Sequence, residues 1–173
     1  MHEILSNEYV EKLISLPKKI VLNDELRDYY QLPCSSLFST RMPIQSIDGN
    51  QIFLLQISQS SKNRLKIDLH FQENARFIQI LRVDYHGRHK NPEKANEFVP
   101  PYMLYYQGMS IDENHIHLYV QGYDRLEWAI PLSISDFPIK DVNNSESFFA
   151  ALECFRSRIN LLTILRYSGG LFL

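Results

Sequence analysis

The chain has 173 residues, 45% of them hydrophobic and 22% charged, which is enough for one domain with a single sizeable core. Twelve per cent aromatic residues exclude a disordered tail protein. A formal charge of −2 excludes a general nucleic-acid coat, because phosphate binding on that scale needs clustered positive charge, while leaving room for a small site with a few local cations.

The N-terminal MHEILSNEYVEK has no basic stretch leading into an apolar run, so no signal peptide is expected. No window approaches eighteen apolar residues, so no membrane helix is expected, and the protein reads as soluble and cytoplasmic. The two cysteines, Cys34 in a loop-like LPCSS stretch and Cys154 on a predicted helix, have no metal spacing and read as reduced thiols.

Ser6 is an N-cap, and Tyr9, Val10, Leu13, Ile14 and Leu16 recur at helical spacing until Pro17, predicting a helix over Asn7 to Leu16. LNDELRDYYQLPCSSLFSTRMP reads as a polar connection with a turn of helix near Asp24 to Tyr29. Strand signals follow. IDGN, at Ile47 to Asn50, is an Asp-Gly hairpin turn between PIQSI and QIFLLQIS.

RLKIDLHF alternates, with Leu65, Ile67, Leu69 and Phe71 facing one way and Arg64, Lys66, Asp68 and His70 the other. A turn at Glu73 to Ala75 leads into the strand RFIQILRVDY, and GRHKNPEKANEFVPP reads as a loop broken by Pro92, Pro100 and Pro101. HIHLYVQGYDRLEWAIPL is a strand, a Gly-Tyr-Asp turn and a second strand, with Trp128 in the core beside Leu126 and Ile130. From Asn144, SESFFAALECFRSRINLL is a capped helix with an apolar stripe through Phe148, Phe149, Leu152, Phe155 and Ile159. The predicted fold class is α+β: a single domain over residues 1–173, a curved antiparallel β-meander with an N-terminal and a C-terminal helix packed on one face and the other face at least partly open.

On that open face the alternation places His115, His117 and Tyr119 together, with Ile116, Leu118 and Val120 turned into the core. Three readings compete. Histidine and tyrosine are tolerated on any solvated sheet face. His-x-His offers two imidazoles to a metal, but a zinc site needs further ligands; His89, Asp84 or His70 could serve, yet no Cys helps and no familiar ligand spacing is present. The third reading is metal-free acid–base chemistry, in which paired histidines divide the roles of base and acid while a cation holds a phosphate. RVDYHGRHKNP adds Arg82 and Asp84 on one strand face, as an ion pair or as site residues, and then Gly87, His89 and Asn91. Tyr102, Tyr105 and Tyr106 in PPYMLYYQGM either line a partner surface or pack the loop onto the sheet.

Together, Arg82-x-Asp84-x-x-Gly87-x-His89-x-Asn91-Pro92, then His115-x-His117-x-Tyr119-x-x-Gly122-Tyr123 and Trp128-Ala129-x-Pro131-Leu132, resemble an uncharacterised family of small bacterial proteins that also occur in mobile elements such as prophages. The resemblance covers Arg76 to Leu132. This chain carries Glu93-Lys94 where the family pattern has Asp-Gly, Gln121 where it has Glu, and a longer loop between the motifs. The resemblance brings no established activity; it implies that these polar residues form one pattern, in a setting of defence or counter-defence.

The expected function is therefore a metal-independent ribonuclease-like toxin. His89, His115, His117 and Tyr119 are the catalytic candidates, and Lys66, Arg82 and Asn91 the substrate-binding ones. No cofactor and no metal ligand set are assigned. The competing reading is a non-enzymatic inhibitor that binds a host or defence protein through Tyr105 and Tyr106. RNA or such a protein is the expected partner, and the oligomeric state stays open.

Overall fold

The computed structural model describes residues 4–33 and 39–167. Cys34, and with it the CSSLF part of the early connection, lies outside the described residues, as does the end of the C-terminal tail. Helix α1 (Asn7–Ser15) starts where Ser6 accepts a hydrogen bond from the Tyr9 amide and ends before Pro17. After strand β1 (Lys18–Leu22), strands β2 (Glu25–Arg27) and β3 (Tyr29–Gln31) replace the helical turn expected near Asp24 to Tyr29. The reason is local. Asn23 and Asp24 take φ of 54° and 61°, and two consecutive left-handed residues make the tight turn that joins twisted antiparallel strands.

Strands β4 (Ser39–Ser46), β5 (Ile52–Gln59), β6 (Ile67–Glu73) and β7 (Ile78–Tyr85) follow as successive hairpins, the first closed by the expected Asp48-Gly49 turn. The segment between β7 and His115, whose first part GRHKNPEKANEFVPP reads as a loop, is folded. It holds β8 (His89–Lys90), a short helix α2 (Pro101–Leu104) and β9 (Ser110–Ile111), with β8 and β9 paired antiparallel. Then come β10 (His115–Leu118), β11 (Trp128–Pro131), a 3-10 turn over Leu132–Ile134, helix α3 (Ser145–Arg158) and β12 (Ile164–Arg166), which pairs in parallel with β3. Asn144 and Ser147 form a reciprocal cap at the start of α3.

The main sheet has eight strands in the order β11-β10-β7-β6-β5-β4-β1-β2, every pair antiparallel. Its apolar face carries Ile20, Met42, Ile44, Leu55, Leu69, Phe71, Val83, Ile116 and Trp128, joined in one core with Val10, Leu13 and Ile14 of α1 and Phe148, Leu152 and Phe155 of α3. The α+β reading therefore holds. Trp128 is core, as expected.

One buried cation ties the two helices to the sheet. Lys18 Nζ donates to the carbonyls of Ile14, Leu16 and Ile159 at 2.6–2.8 Å and lies 5.0 Å from the Phe53 ring centroid.

Candidate functional site

The register turns the alternation of each strand into rows across the polar face. One row runs Arg41, Gln56, His70, Arg82, His117; the next runs Ser58, Asp68, Asp84, His115. The strands bearing His70 and His117 are not neighbours. β7 lies between them, so Arg82 stands with an imidazole row-mate on either side.

The face is half open. Over β5 and β6 the polar side chains Gln56, Ser58, Asp68 and His70 are part-exposed, but His115 and His117 are 0% exposed. The expectation of an open histidine face fails there because the segment after β7 folds back over β10 and β11. Gly87 passes so close that a Cβ there would stand 3.3 Å from Asp84 Cβ and 3.4 Å from His115 Cε1, so glycine is what lets the chain cross. His89 on β8 packs its ring 4.4 Å from that of His117.

Beneath this cover lies a charge network. Arg82 Nε donates to Asp84 Oδ1 and Oδ2 at 2.8 and 3.1 Å, and Arg82 Nη2 lies 2.8 Å from His117 Nε2. His115 Nδ1 and His117 Nδ1 each stand 2.8 Å from a backbone carbonyl, of Glu113 and Leu126 respectively. Those carbonyls assign the proton to Nδ1 on both rings and leave both Nε2 atoms as lone-pair sites. Both Nε2 atoms face the same carboxylate oxygen, Asp84 Oδ2, at 3.4 and 3.2 Å. His117 Nε2 is satisfied by Arg82. His115 Nε2 is buried without a hydrogen-bond partner.

Burial alone would raise the Asp84 carboxyl, but any proton carried on the Nε2 of His115 or His117, together with the Arg82 charge, outweighs it and holds the group well below the usual carboxylate range. His117 goes the other way, pushed down to about 4 by burial, with the Arg82 charge adding. His70 is likewise lowered to about 4, by burial and then Arg82, and burial lowers His89. Asp68 is raised to about 6 by burial and then by the charge of Asp84. Within this network the donor atoms of Asp84, His115 and His117 lie within 4.8 Å of one another, a set able to hold a metal ion.

The other candidates separate. Tyr119 follows the end of β10, and its hydroxyl donates to the Leu5 carbonyl at 2.9 Å, so it belongs to the N-terminal packing and not to the histidine group. Lys66 precedes β6 in an exposed turn. Asn91 is buried and its amide is fully used: Nδ2 donates to the Tyr106 and Ala129 carbonyls and Oδ1 accepts from the Ala129 amide. It closes the free edge of β11. Tyr105 is 74% exposed, whereas Tyr106 is half-buried against the core. Glu93 and Lys94 are exposed, and Gln121 bonds through its backbone to Asn7 and Asn96, so none of the three enters the network.

His70 is the residue that sequence ranking left out. Its signal was present in the alternation of RLKIDLHF, but its nearness to Arg82 depends on strand order. Among the described residues no helix is long and apolar enough to cross a membrane.

Comparison with curated proteins and with solved structures gives no match. A family model matches residues 5–161, taking in α1, α2 and α3, the whole eight-stranded sheet and the network, and the chain belongs to that family of unknown function, DUF6978.

Proposed function

We propose that the polar sheet face binds the phosphodiester backbone of RNA and cleaves it without needing a metal ion, in the cytoplasm and in the setting of a mobile-element or defence module. The observation that carries this reading is Arg82. Asp84 and His117 fix its guanidinium, while its side chain keeps 32% of its exposure, so a cation is pre-positioned on an accessible surface.

His70 lies across from Arg82 on one side, and His89 packs on His117 on the other. His89 Nε2 is engaged by the Glu127 carbonyl at 2.8 Å, which leaves Nδ1 to accept a proton. In the proposed reaction His89 takes the proton of a 2′-hydroxyl, whose oxygen bonds to phosphorus. The P–O5′ bond breaks, and His70 returns a proton to the leaving oxygen. The negative charge of a bound phosphate raises both imidazoles toward the range this exchange needs. His115 and His117, with no exposed surface, act as positioning residues for Asp84 and Arg82.

The test is RNA integrity after incubation with wild type, Arg82→Ala and His89→Ala, each with and without EDTA and each checked for fold by circular dichroism. Cleavage by wild type that persists in EDTA and is lost in both folded variants supports the reading. Intact RNA in every wild-type sample overturns it.

A second reading is favoured by one feature: Phe98, Tyr102, Leu104, Tyr105 and Met109 are all exposed within the segment that caps the site. Exposed aromatics grouped in this way suit a protein–protein contact. This supports the alternative of an inhibitor that binds a host or defence protein.

A further inference from the structure

We propose that Asp84, His115 and His117 form a binding site for a divalent transition-metal ion of the zinc type, and that the ion takes the place held in the bridged network by the Arg82 guanidinium. The inference goes beyond RNA cleavage and does not depend on it.

The network contains a mismatch. With their protons fixed on Nδ1, His115 and His117 both present lone pairs to Asp84 Oδ2, which is itself an acceptor. Arg82 relieves one of these oppositions by its contact with His117 Nε2. The other, His115 Nε2 against Asp84 Oδ2 at 3.4 Å, has no donor hydrogen, and the nitrogen is buried without a partner. Buried acceptors facing one another need a cation between them, either a proton or a metal.

The geometry favours the metal. Ligand atoms about 2.1 Å from a tetrahedral ion stand roughly 3.4 Å apart; the two Nε2-to-Oδ2 separations are 3.4 and 3.2 Å, and all three donor atoms lie within 4.8 Å of one another, so the two imidazoles would draw together around the ion. Both imidazoles already carry the outer support of metal-bound histidine, an Nδ1–H directed at a backbone carbonyl. Two imidazoles and a carboxylate suit zinc better than calcium or magnesium, which prefer all-oxygen shells. Charge also closes. Asp68, across from Asp84 in the register, supplies a second carboxylate beside a dication, and the part-exposed Arg82 leaves toward solvent. Arg82 is therefore the competitor, and its departure opens the route of entry.

The experiment titrates full-length protein, freed of metal by dialysis against chelator, with Co(II), and then displaces it with Zn(II). One equivalent of Co(II) with the visible bands of a tetrahedral nitrogen–oxygen site, bleached by one equivalent of Zn(II), is the expected result. Arg82→Ala should bind at least tenfold more tightly, and His115→Gln and His117→Gln at least a hundredfold more weakly. If a histidine variant fails to fold, wild type decides alone, through a saturable rise in melting temperature with Zn(II). No stoichiometric binding by wild type overturns the inference, as does binding confined to Arg82→Ala. A sulfur-to-cobalt charge-transfer band, which would place the ion on a cysteine, also overturns it, as do folded histidine variants with unchanged affinity. RNA integrity measured on the same samples tells this failure from that of the cleavage reading, since metal binding is read without RNA.

Discussion

Arg82 Nε straddles both carboxylate oxygens of Asp84, two residues further along the same face of one strand, at 2.8 and 3.1 Å. A pair at this spacing on a solvated strand is worth little, but here the cover formed by Gly87 and His89 leaves Asp84 nearly buried while Arg82 stays part-exposed. The carboxylate is thus the fixed post, and the guanidinium is what it holds toward the surface.

Replacing Asp84 by Asn keeps the shape and removes the charge. Arg82 then keeps a single neutral acceptor in place of a charged one with two oxygens, a loss only partly offset where the amide Nδ2 donates to the imidazole lone pairs. We expect a loss of about 2 kcal/mol in urea unfolding, below the ~3–5 kcal/mol of a fully buried pair because Arg82 retains access to water. A change under ~0.5 kcal/mol would mean that the pair contributes no more than an ordinary surface contact.

Asn91 is expected to matter for stability more than for substrate. Asn91→Ala strands the buried amide and carbonyl of Ala129 on the outer edge of β11, at a cost of about 2–4 kcal/mol for two lost partners. Asn91→Asp should be no better, because a carboxylate would face the carbonyls of Tyr106 and Ala129. Hydrogen exchange at the Ala129 amide reads this directly, and protection unchanged in Asn91→Ala would show that the edge closes by other means.

Lys18 gives a pH dependence with a definite sign. Burial pushes its ammonium from 10.5 down to about 7 in the folded chain. Between those values the unfolded chain holds a proton that the folded chain has released, so stability rises with pH from about 7 to 10.5 and is lost again as pH falls back over that window, with no further change from this group below it. The three carbonyls around Nζ and the Phe53 and Phe71 rings act in the opposite direction, favouring the charge. Denaturant unfolding of wild type and Lys18→Met across that window compares the two effects. A wild-type slope that disappears in the variant is expected; parallel curves would show that the carbonyls keep the ammonium charged throughout.

These tests bear on residues whose legibility differed for physical reasons. Strand alternation placed Ile67, Leu69 and Phe71 inside and Asp68 and His70 outside, because side chains on a strand alternate between its two faces. The caps at Ser6 and Asn144 were equally local. The β1–β2 turn was missed because Asn23-Asp24 adopts left-handed backbone without a glycine to signal it. The cover over His115 and His117 was missed because the capping segment looks like a loop, and what it packs against depends on tertiary structure. Tyr119 shows the limit of alternation itself: the pattern continued past Leu118, but the strand did not.

Phe77 offers a separate test of strain. It is a bulky residue at φ 60°, 72% exposed, in the turn whose Ala75 and Arg76 amides are held by the Glu73 carboxylate. A side chain in the left-handed region costs ~1–2 kcal/mol, and glycine would remove that cost while giving back ~0.4–1 kcal/mol through a freer unfolded chain. Phe77→Gly should therefore stabilise by roughly 0.5–1 kcal/mol if the ring does nothing else. The ring does border a cavity of about 320 Å³, together with Arg76, Tyr119, Tyr123 and Arg125. A thermal melt of the variant decides between the two effects. A rise means the strained aromatic is kept at a cost to the fold, and lost or unchanged stability would show that its contacts in that cavity repay the strain.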